Sequence, residues 1–322
     1  MKRYYAFRIA SWLSWLLPSR VGYWLCSLIG GIVFYFTPHI RQAVMDNMRH
    51  VLPNSSAHER RNIARRVIRN TLKNYYDLVR LPHMKARDIE NMITEFEGIE
   101  NLEEAFARGK GTIAVGGHLG NFSLVAQKAV LLGYTVAVIA EDIQPPRLYN
   151  FVNKLRSGFG LKFIKAGSSQ VRTIYKLLKS NGILLLACDR DVNDSGTPVQ
   201  FFDAPADMPE GPVVLALRLG ATVLPVYTDR RPDNKATLRI YPPMEMVRTG
   251  DYKLDIEVNM RRIAEVLEQM IARAPDQWVV LQRVWDREYT GEKGLGIRSQ
   301  GLGDEDKQVA LTPEIQVPSP SM

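Results

Sequence analysis

The sequence predicts an α/β protein, a largely parallel central sheet flanked by helices, with an N-terminal hydrophobic membrane-anchoring helix ahead of it. Three observations carry that reading. Between residues 111 and 224, short continuous apolar runs alternate with helical periods, the pattern of β-α-β units whose strands are covered on both faces. Residues 21–38 contain no charge. A strongly basic amphipathic segment follows directly, as positive charge does on the cytoplasmic side of an anchor.

The charge-free run lies at the short end of the roughly 17–25 residues that cross a bilayer. A second apolar block, residues 9–17, precedes it and is broken by Pro18 and Arg20. Aromatic residues such as Trp12, Trp15, Trp24 and Tyr35 are of the kind that gather at a headgroup boundary. A cleaved signal fits Lys2 and Arg3, but no small-residue cleavage site follows. A buried core helix is the other competing reading. The reading adopted is an anchor that lies in, or shallowly crosses, the membrane interface. From Arg41 to Arg87 the only acids are Asp46, Glu59 and Asp77, so this stretch attracts anionic lipid. Ser56 and Glu59 form a capping-box pattern. Ile63, Val67, Ile68, Leu72 and Tyr75 repeat at helical spacing, which predicts one helix over 57–79.

In the core, strands are predicted at 112–115, 135–140, 161–164, 183–187 and 222–228, with an added edge strand at 236–241. Helices are predicted at 121–132, 147–159, 169–180, 211–219 and 256–273, several of them stopped by glycine. The domain division is therefore a membrane anchor over 1–38 and an α/β domain over 39–290, comprising a basic helical region (39–100) and a core (101–290). Residues 291–322, rich in Gly, Ser, Pro and charge, are expected to be a poorly ordered tail.

The chain has 322 residues, is 46% hydrophobic and carries a formal charge of +8. Such a basic balance calls for an anionic partner. Aromatic-interleaved basic stripes and zinc-finger or RNP motifs are absent, which favours membrane lipids and an acidic carrier over nucleic acid. Cys26 and Cys188, in very different contexts, do not make a disulfide framework.

Of the five histidines, His39, His50, His58 and His83 precede the core, and His118 alone lies within it. It follows the first core strand inside the turn Gly116-Gly117-His118-Leu119-Gly120-Asn121-Phe122. Ligands of open parallel sheets sit beyond the carboxyl ends of the strands. A histidine there is placed to take a proton from a hydroxyl. Asp189 follows the strand 183–187 in the same way, so it reaches His118 if the two strands are neighbours; a helix cap or a salt bridge to Arg190 is its alternative role. Arg156 suits a phosphate through bidentate hydrogen bonding, or else a structural ion pair with Asp189 or Asp191. Cys188 as a thiol nucleophile is a lesser alternative to a small buried hydrophobe. No metal is implied, because His118 has no His or Cys at ligand spacing.

Gly117-His118-Leu119-Gly120-Asn121-Phe122 resembles the His-x-Gly-Asn-aromatic-acid block of the lipid A biosynthesis (lauroyl/myristoyl type) acyltransferases, within the glycerolipid acyltransferase superfamily. Lys154-Leu155-Arg156-Ser157-Gly158-Phe159-Gly160, Asp189-Arg190-Asp191, Phe201-Phe202 with Pro209-Glu210-Gly211-Pro212, and Gln277-Trp278 with Arg283-Val284-Trp285 extend the resemblance over residues 5 to 287. Acyltransferases of phosphatidylinositol mannosides share these blocks. The resemblance implies a membrane-bound enzyme at the cytoplasmic face of the inner membrane. Its donor would be an acyl carrier protein or CoA thioester, its acceptor a glycolipid hydroxyl, and it would need no further cofactor. It also implies substrate-binding roles for Gly117, Asn121, Arg190, Asp191, Glu210 and Gly211. One position departs from the pattern: the fifth residue after His118 is Ser123, where the family has a carboxylate. The site is then altered or inactive, or Ser123 orients the ring by a hydrogen bond, or Asp189 supplies the missing acid. A lipid-binding relative without catalysis and an acyl thioesterase are the rival functions.

Overall fold

The structure, a computed structural model, describes residues 16–140, 145–165, 170–191 and 196–285, together with Tyr5, Arg8, Ile9, Ser11, Trp12 and Ser14. The tail expected over 291–322 lies outside the described residues.

The charge-free run forms helix α1 (Ser19–Phe36), and α2 (Pro38–Val51) follows after Thr37. The basic segment forms α3 (Ala57–Arg80), with the Ser56 hydroxyl accepting the Glu59 amide at 3.1 Å as the capping pattern requires. A stripe of α1 (Gly22, Tyr23, Cys26, Gly30, Phe34) is buried against α3, and the two helices run antiparallel. Tyr23 meets Tyr76 edge to face, Cys26 Sγ donates to the Leu72 carbonyl, Gly30 lies over Arg69, and the Arg61 guanidinium covers Phe34. A Cβ on Gly30 would stand 2.9 Å from the Arg69 Cα, so glycine sets how closely the helices approach.

After α4 (Ala86–Met92), strands β1 (Ile93–Glu97), β2 (Thr112–Gly116), β3 (Val136–Ala140), β4 (Lys162–Lys165), β5 (Ile183–Ala187), β8 (Thr222–Arg230) and β9 (Ala236–Ile240) make one sheet in the order β1-β9-β8-β2-β5-β3-β4. From β8 to β4 every pairing is parallel, while β9 runs antiparallel to β8. Helices α5 (Ile99–Ala107), α6 (Phe122–Leu131), α7 (Pro146–Arg156), α8 (Val171–Lys179), α9 (Gly211–Leu219) and α10 (Tyr252–Arg273) flank it. A separate antiparallel hairpin, β6 (Thr197–Phe201) with β7 (Ala204–Met208), follows β5. All five residues of β2 are buried, as a central strand covered on both faces must be.

Two expectations are corrected. Residues 236–241 do not form the edge: β1 pairs outside β9. The stretch 39–100, read as a basic helical region with no strand predicted in it, therefore contributes one. Its sequence, Ile-Thr-Glu-Phe-Glu, hides it: an edge strand needs little apolar surface, and the strand is mostly exposed.

Candidate active site

Strands β2 and β5 are neighbours in parallel register, with Gly116 opposite Ala187. Two residues beyond each of those positions stand His118 and Asp189. The His118 ring Nδ1 lies 2.9 Å from Asp189 Oδ1. The His118 backbone N–H donates to Asp189 Oδ2 at 2.8 Å, and the Trp278 indole N–H donates to the same oxygen at 2.7 Å. Asp189 is fully buried, whereas the His118 side chain keeps 24% of its surface exposed. Burial pushes the Asp189 carboxyl up, but the facing His118 ring, its ring and backbone hydrogen bonds and the Trp278 indole outweigh that and hold it at about 2. An ionised carboxylate accepts only, so it fixes the neutral imidazole with its proton on Nδ1 and its lone pair on Nε2.

The turn that carries His118 is held on every side. The His118 carbonyl accepts from Val279 N–H at 2.8 Å, and the Gly120 amide donates to the Gln277 carbonyl at 3.0 Å. Gly120 has φ +53°, and a side chain there would strike the Thr228 carbonyl. A Cβ on Gly117 would press on the Asp189 carboxylate at 3.2–3.3 Å. Gly117 thus makes room for the acid. Phe122 packs edge-on to the His118 ring, with centroids 5.3 Å apart. A small apolar cavity of about 30 Å³ opens between the ends of β2, β5 and β8, lined by Gly116, Gly117, Leu119, Phe122 and Leu185 among others.

The remaining sequence candidates divide. Ser123, in the first turn of α6, makes no hydrogen bond to His118 among the described contacts, and the ring Nδ1 is engaged by Asp189. Asn121 is buried and donates its amide to Asp77 at 2.6 Å, which braces the turn. Asp191 accepts the Gly196 amide at 2.7 Å and donates its own amide to the Asp207 carbonyl, tying the end of β5 to the hairpin. Arg190 donates to Gln282 at 2.5 Å, linking that end to the C-terminal stretch. Glu210 precedes α9 and accepts from the Thr197 hydroxyl at 3.2 Å; Gly211 opens that helix, exposed, with nothing near its missing Cβ. Arg156 ends α7, its carbonyl taking the Gln127 amide. Cys188 is buried, and burial with the neighbouring Asp189 charge pushes its thiol far up, which disfavours the thiolate a nucleophile needs. No group of three or more metal-ligating side chains occurs among the described residues.

The family model of the bacterial lipid A biosynthesis acyltransferases matches residues 1–287. The chain belongs to that family. Among curated relatives, it is 25% identical to a phosphatidylinositol mannoside acyltransferase of Mycobacterium tuberculosis over 70% of each chain. It is 26% identical to the protein of the same name from Mycolicibacterium smegmatis, over 73% of this chain and 81% of the relative. With the lipid A biosynthesis palmitoleoyltransferase of Escherichia coli it shares 24% identity over 89% and 92%.

In this acyltransferase several residues that support the site escaped sequence reasoning. Asp77 of α3 is buried and accepts from Tyr23 Oη (2.5 Å), Asn121 Nδ2 (2.6 Å) and Arg230 Nη2 (2.5 Å). Arg230 also reaches Asn74, whose amide donates to the Gly120 carbonyl at 2.6 Å. Burial disfavours the Arg230 charge, but Asp77 opposite more than restores it. The available signal was Asp77 itself, a rare acid on an otherwise basic helix. Trp278 was visible only as part of a resemblance; nothing in its local sequence announces a donor to Asp189.

Proposed function

We propose that this acyltransferase moves a fatty acyl chain from an acyl-carrier-protein or CoA thioester to a hydroxyl of a glycolipid, at the cytoplasmic face of the inner membrane. The observation that carries the reading is the His118–Asp189 pair. A partly exposed imidazole is held in one tautomer by a buried carboxylate, which supports the positive charge that proton transfer creates. His118 Nε2 removes the proton from the acceptor hydroxyl, and the oxygen attacks the thioester carbonyl. The tetrahedral intermediate collapses, the C–S bond breaks, and the thiolate leaves with the proton from His118. The amides of His118, Leu119 and Gly120 are all spent on acceptors within the protein. The Leu124 amide is likewise taken, by the Asn121 carbonyl, so the oxyanion falls to the amides of Phe122 and Ser123, the first two of α6. The apolar cavity beside Leu119 and Phe122 takes the carbons next to the reacting carbonyl, being too small for a whole chain.

Membrane placement rests on α1 and α3. One face of α1 exposes Trp24, Leu28, Ile32, Tyr35 and Phe36. By length and composition α1 is a candidate span. Yet α3 packs along it and carries Arg61, Arg65, Arg69 and Lys73. A spanning α1 would drag those charges into hydrocarbon at roughly 2.5–3.5 kcal/mol each. An interfacial pose, apolar face down and cations at headgroup level, avoids that cost. The similarity to mannoside and lipid A enzymes supports a glycolipid acceptor.

The test is incubation of the full chain with a labelled acyl thioester, with and without a glycolipid acceptor. Label moving to the glycolipid, and failing to move with His118→Ala, supports the proposal. Release of free fatty acid alone, at equal rates with and without acceptor, contradicts it.

A further inference from the structure

We propose that Tyr23 and Asp77 are positioning residues that make the geometry of the His118 turn depend on the seating of α1. The interfacial helix is then part of the active-site scaffold as well as an attachment. The inference rests on His118 being the base.

Asp77 is the point where three otherwise separate parts of the chain meet. Its Oδ1 takes the Tyr23 hydroxyl from α1, and its Oδ2 takes Asn121 from the catalytic turn and Arg230 from the end of β8. The Arg230 guanidinium also stands over the Tyr23 ring at 5.6 Å. From Asp77 two routes lead into the turn: directly through Asn121, and through Arg230 and Asn74 to the Gly120 carbonyl. Asn121 and Gly120 lie three and two residues from His118, in a turn also held by the Asp189 carboxylate, the Thr228 hydroxyl and backbone bonds to the Gln277–Val279 segment. The charged or titratable groups around the cluster are Tyr23 and Cys26 from α1, Lys73, Tyr76 and Arg80 from α3, and Arg230 from β8.

The arrangement is exacting. The shared carboxylate is sealed from water, so a donor withdrawn from it is not replaced by solvent. Tyr23 is brought there by a close helix crossing at Gly22, where any Cβ would collide with the Tyr76 ring. If α1 lifts or slides, Asp77 loses a donor on one oxygen while the other still holds both Arg230 and Asn121. The carboxylate then rotates, and Asn121 and Gly120 follow. Small displacements of a catalytic base are costly, even when their cause lies far from the chemistry.

The experiment uses full-length Tyr23→Phe on vesicles carrying glycolipid, well below its melting temperature. The variant keeps the ring against Tyr76 and removes only the hydroxyl. The expected result is a fall in kcat of about tenfold, with KM for donor and acceptor within about twofold. Vesicle binding should stay unchanged, and the acidic limb of the pH–kcat/KM profile should move in the same direction as for Asp189→Asn. Because Asp77→Asn strands the buried Arg230 charge, the companion variant is Asp77→Asn with Arg230→Gln. It should show the same kcat loss and displaced profile. Tyr23→Phe with wild-type kcat and profile, or with a loss equal to its loss of folded protein and an unchanged profile, overturns the proposal. Full activity in His118→Ala would instead remove the catalytic reading beneath it.

Discussion

Asp189 is a carboxylate kept charged where no water reaches it. Three donors from two segments of the chain make that tolerable: the His118 ring, the His118 amide and the Trp278 indole. Its folded value of about 2 lies below the ordinary 3.8. A depressed acid stabilises the fold fully above its unfolded value and loses that contribution as pH falls towards its folded one. Wild-type melting temperature should therefore drop more steeply than that of Asp189→Asn between about pH 4 and pH 2. Parallel slopes in a melting series over that range would contradict the assigned charge. Arg230 and Asp77 obey the same logic as a buried pair. Arg230→Met should cost about 3–5 kcal/mol in a denaturation experiment, and the double change Arg230→Met, Asp77→Leu much less, because breaking such a pair is worse than replacing it. Much of this chemistry was legible beforehand, since His118 and Asp189 each follow an apolar strand. The bracing of the turn was not: Asn121 looks like a ligand-facing amide in sequence, and only Asp77, more than forty residues earlier, reveals that it points inward.

Helices α1 and α3 show how small residues set an arrangement that hydropathy alone leaves open. Hydropathy describes α1 as a candidate span, whereas its antiparallel packing on a helix rich in arginine favours a pose along the interface. Gly30→Leu tests that packing. A Cβ there meets the Arg69 backbone, which cannot rotate away, so α1 must lift. The expected outcome is faster proteolysis within α1 and a lower melting temperature. Gly31→Ala, whose Cβ would make only an ordinary 3.5 Å contact with the Arg69 guanidinium, should neither speed proteolysis nor lower the melting temperature, and relief of the helical glycine should raise the latter slightly. Elements with strong apolar runs, such as β2, β5 and β8, were legible to within a residue or two. Those missed were β1, which carries Glu95 and Glu97, and the hairpin of β6 and β7, broken by Pro198, Pro205 and Asp207. Edge strands and small hairpins need little hydrophobic surface, so periodicity does not announce them.

Taken together, the fold joins two functions that the sequence keeps apart. The parallel sheet brings His118 and Asp189, 71 residues apart, to one edge. On the proposed reading, the basic and apolar helices offer that edge to a lipid surface. If α1 and α3 hold the protein on a bilayer in this way, binding to vesicles with anionic lipid should exceed binding to neutral ones and weaken with salt, since part of the attraction is between exposed charges. Equal, salt-independent binding to both would leave only the apolar face of α1 in play. The departure at Ser123 also takes its meaning from the assembled sheet. On the proposed reading, the acid missing at Ser123 is supplied from the neighbouring strand β5 by Asp189, which is hydrogen-bonded to the ring. The most direct test of that claim is the rate of acyl transfer from a labelled thioester to a glycolipid by Asp189→Asn and by Ser123→Ala, each compared with the wild type. We expect Asp189→Asn to lower kcat on the order of ten-thousandfold, as loss of an orienting acid does elsewhere, and Ser123→Ala to stay within about threefold. Equal small losses in the two variants, or a larger loss from Ser123→Ala, would contradict it.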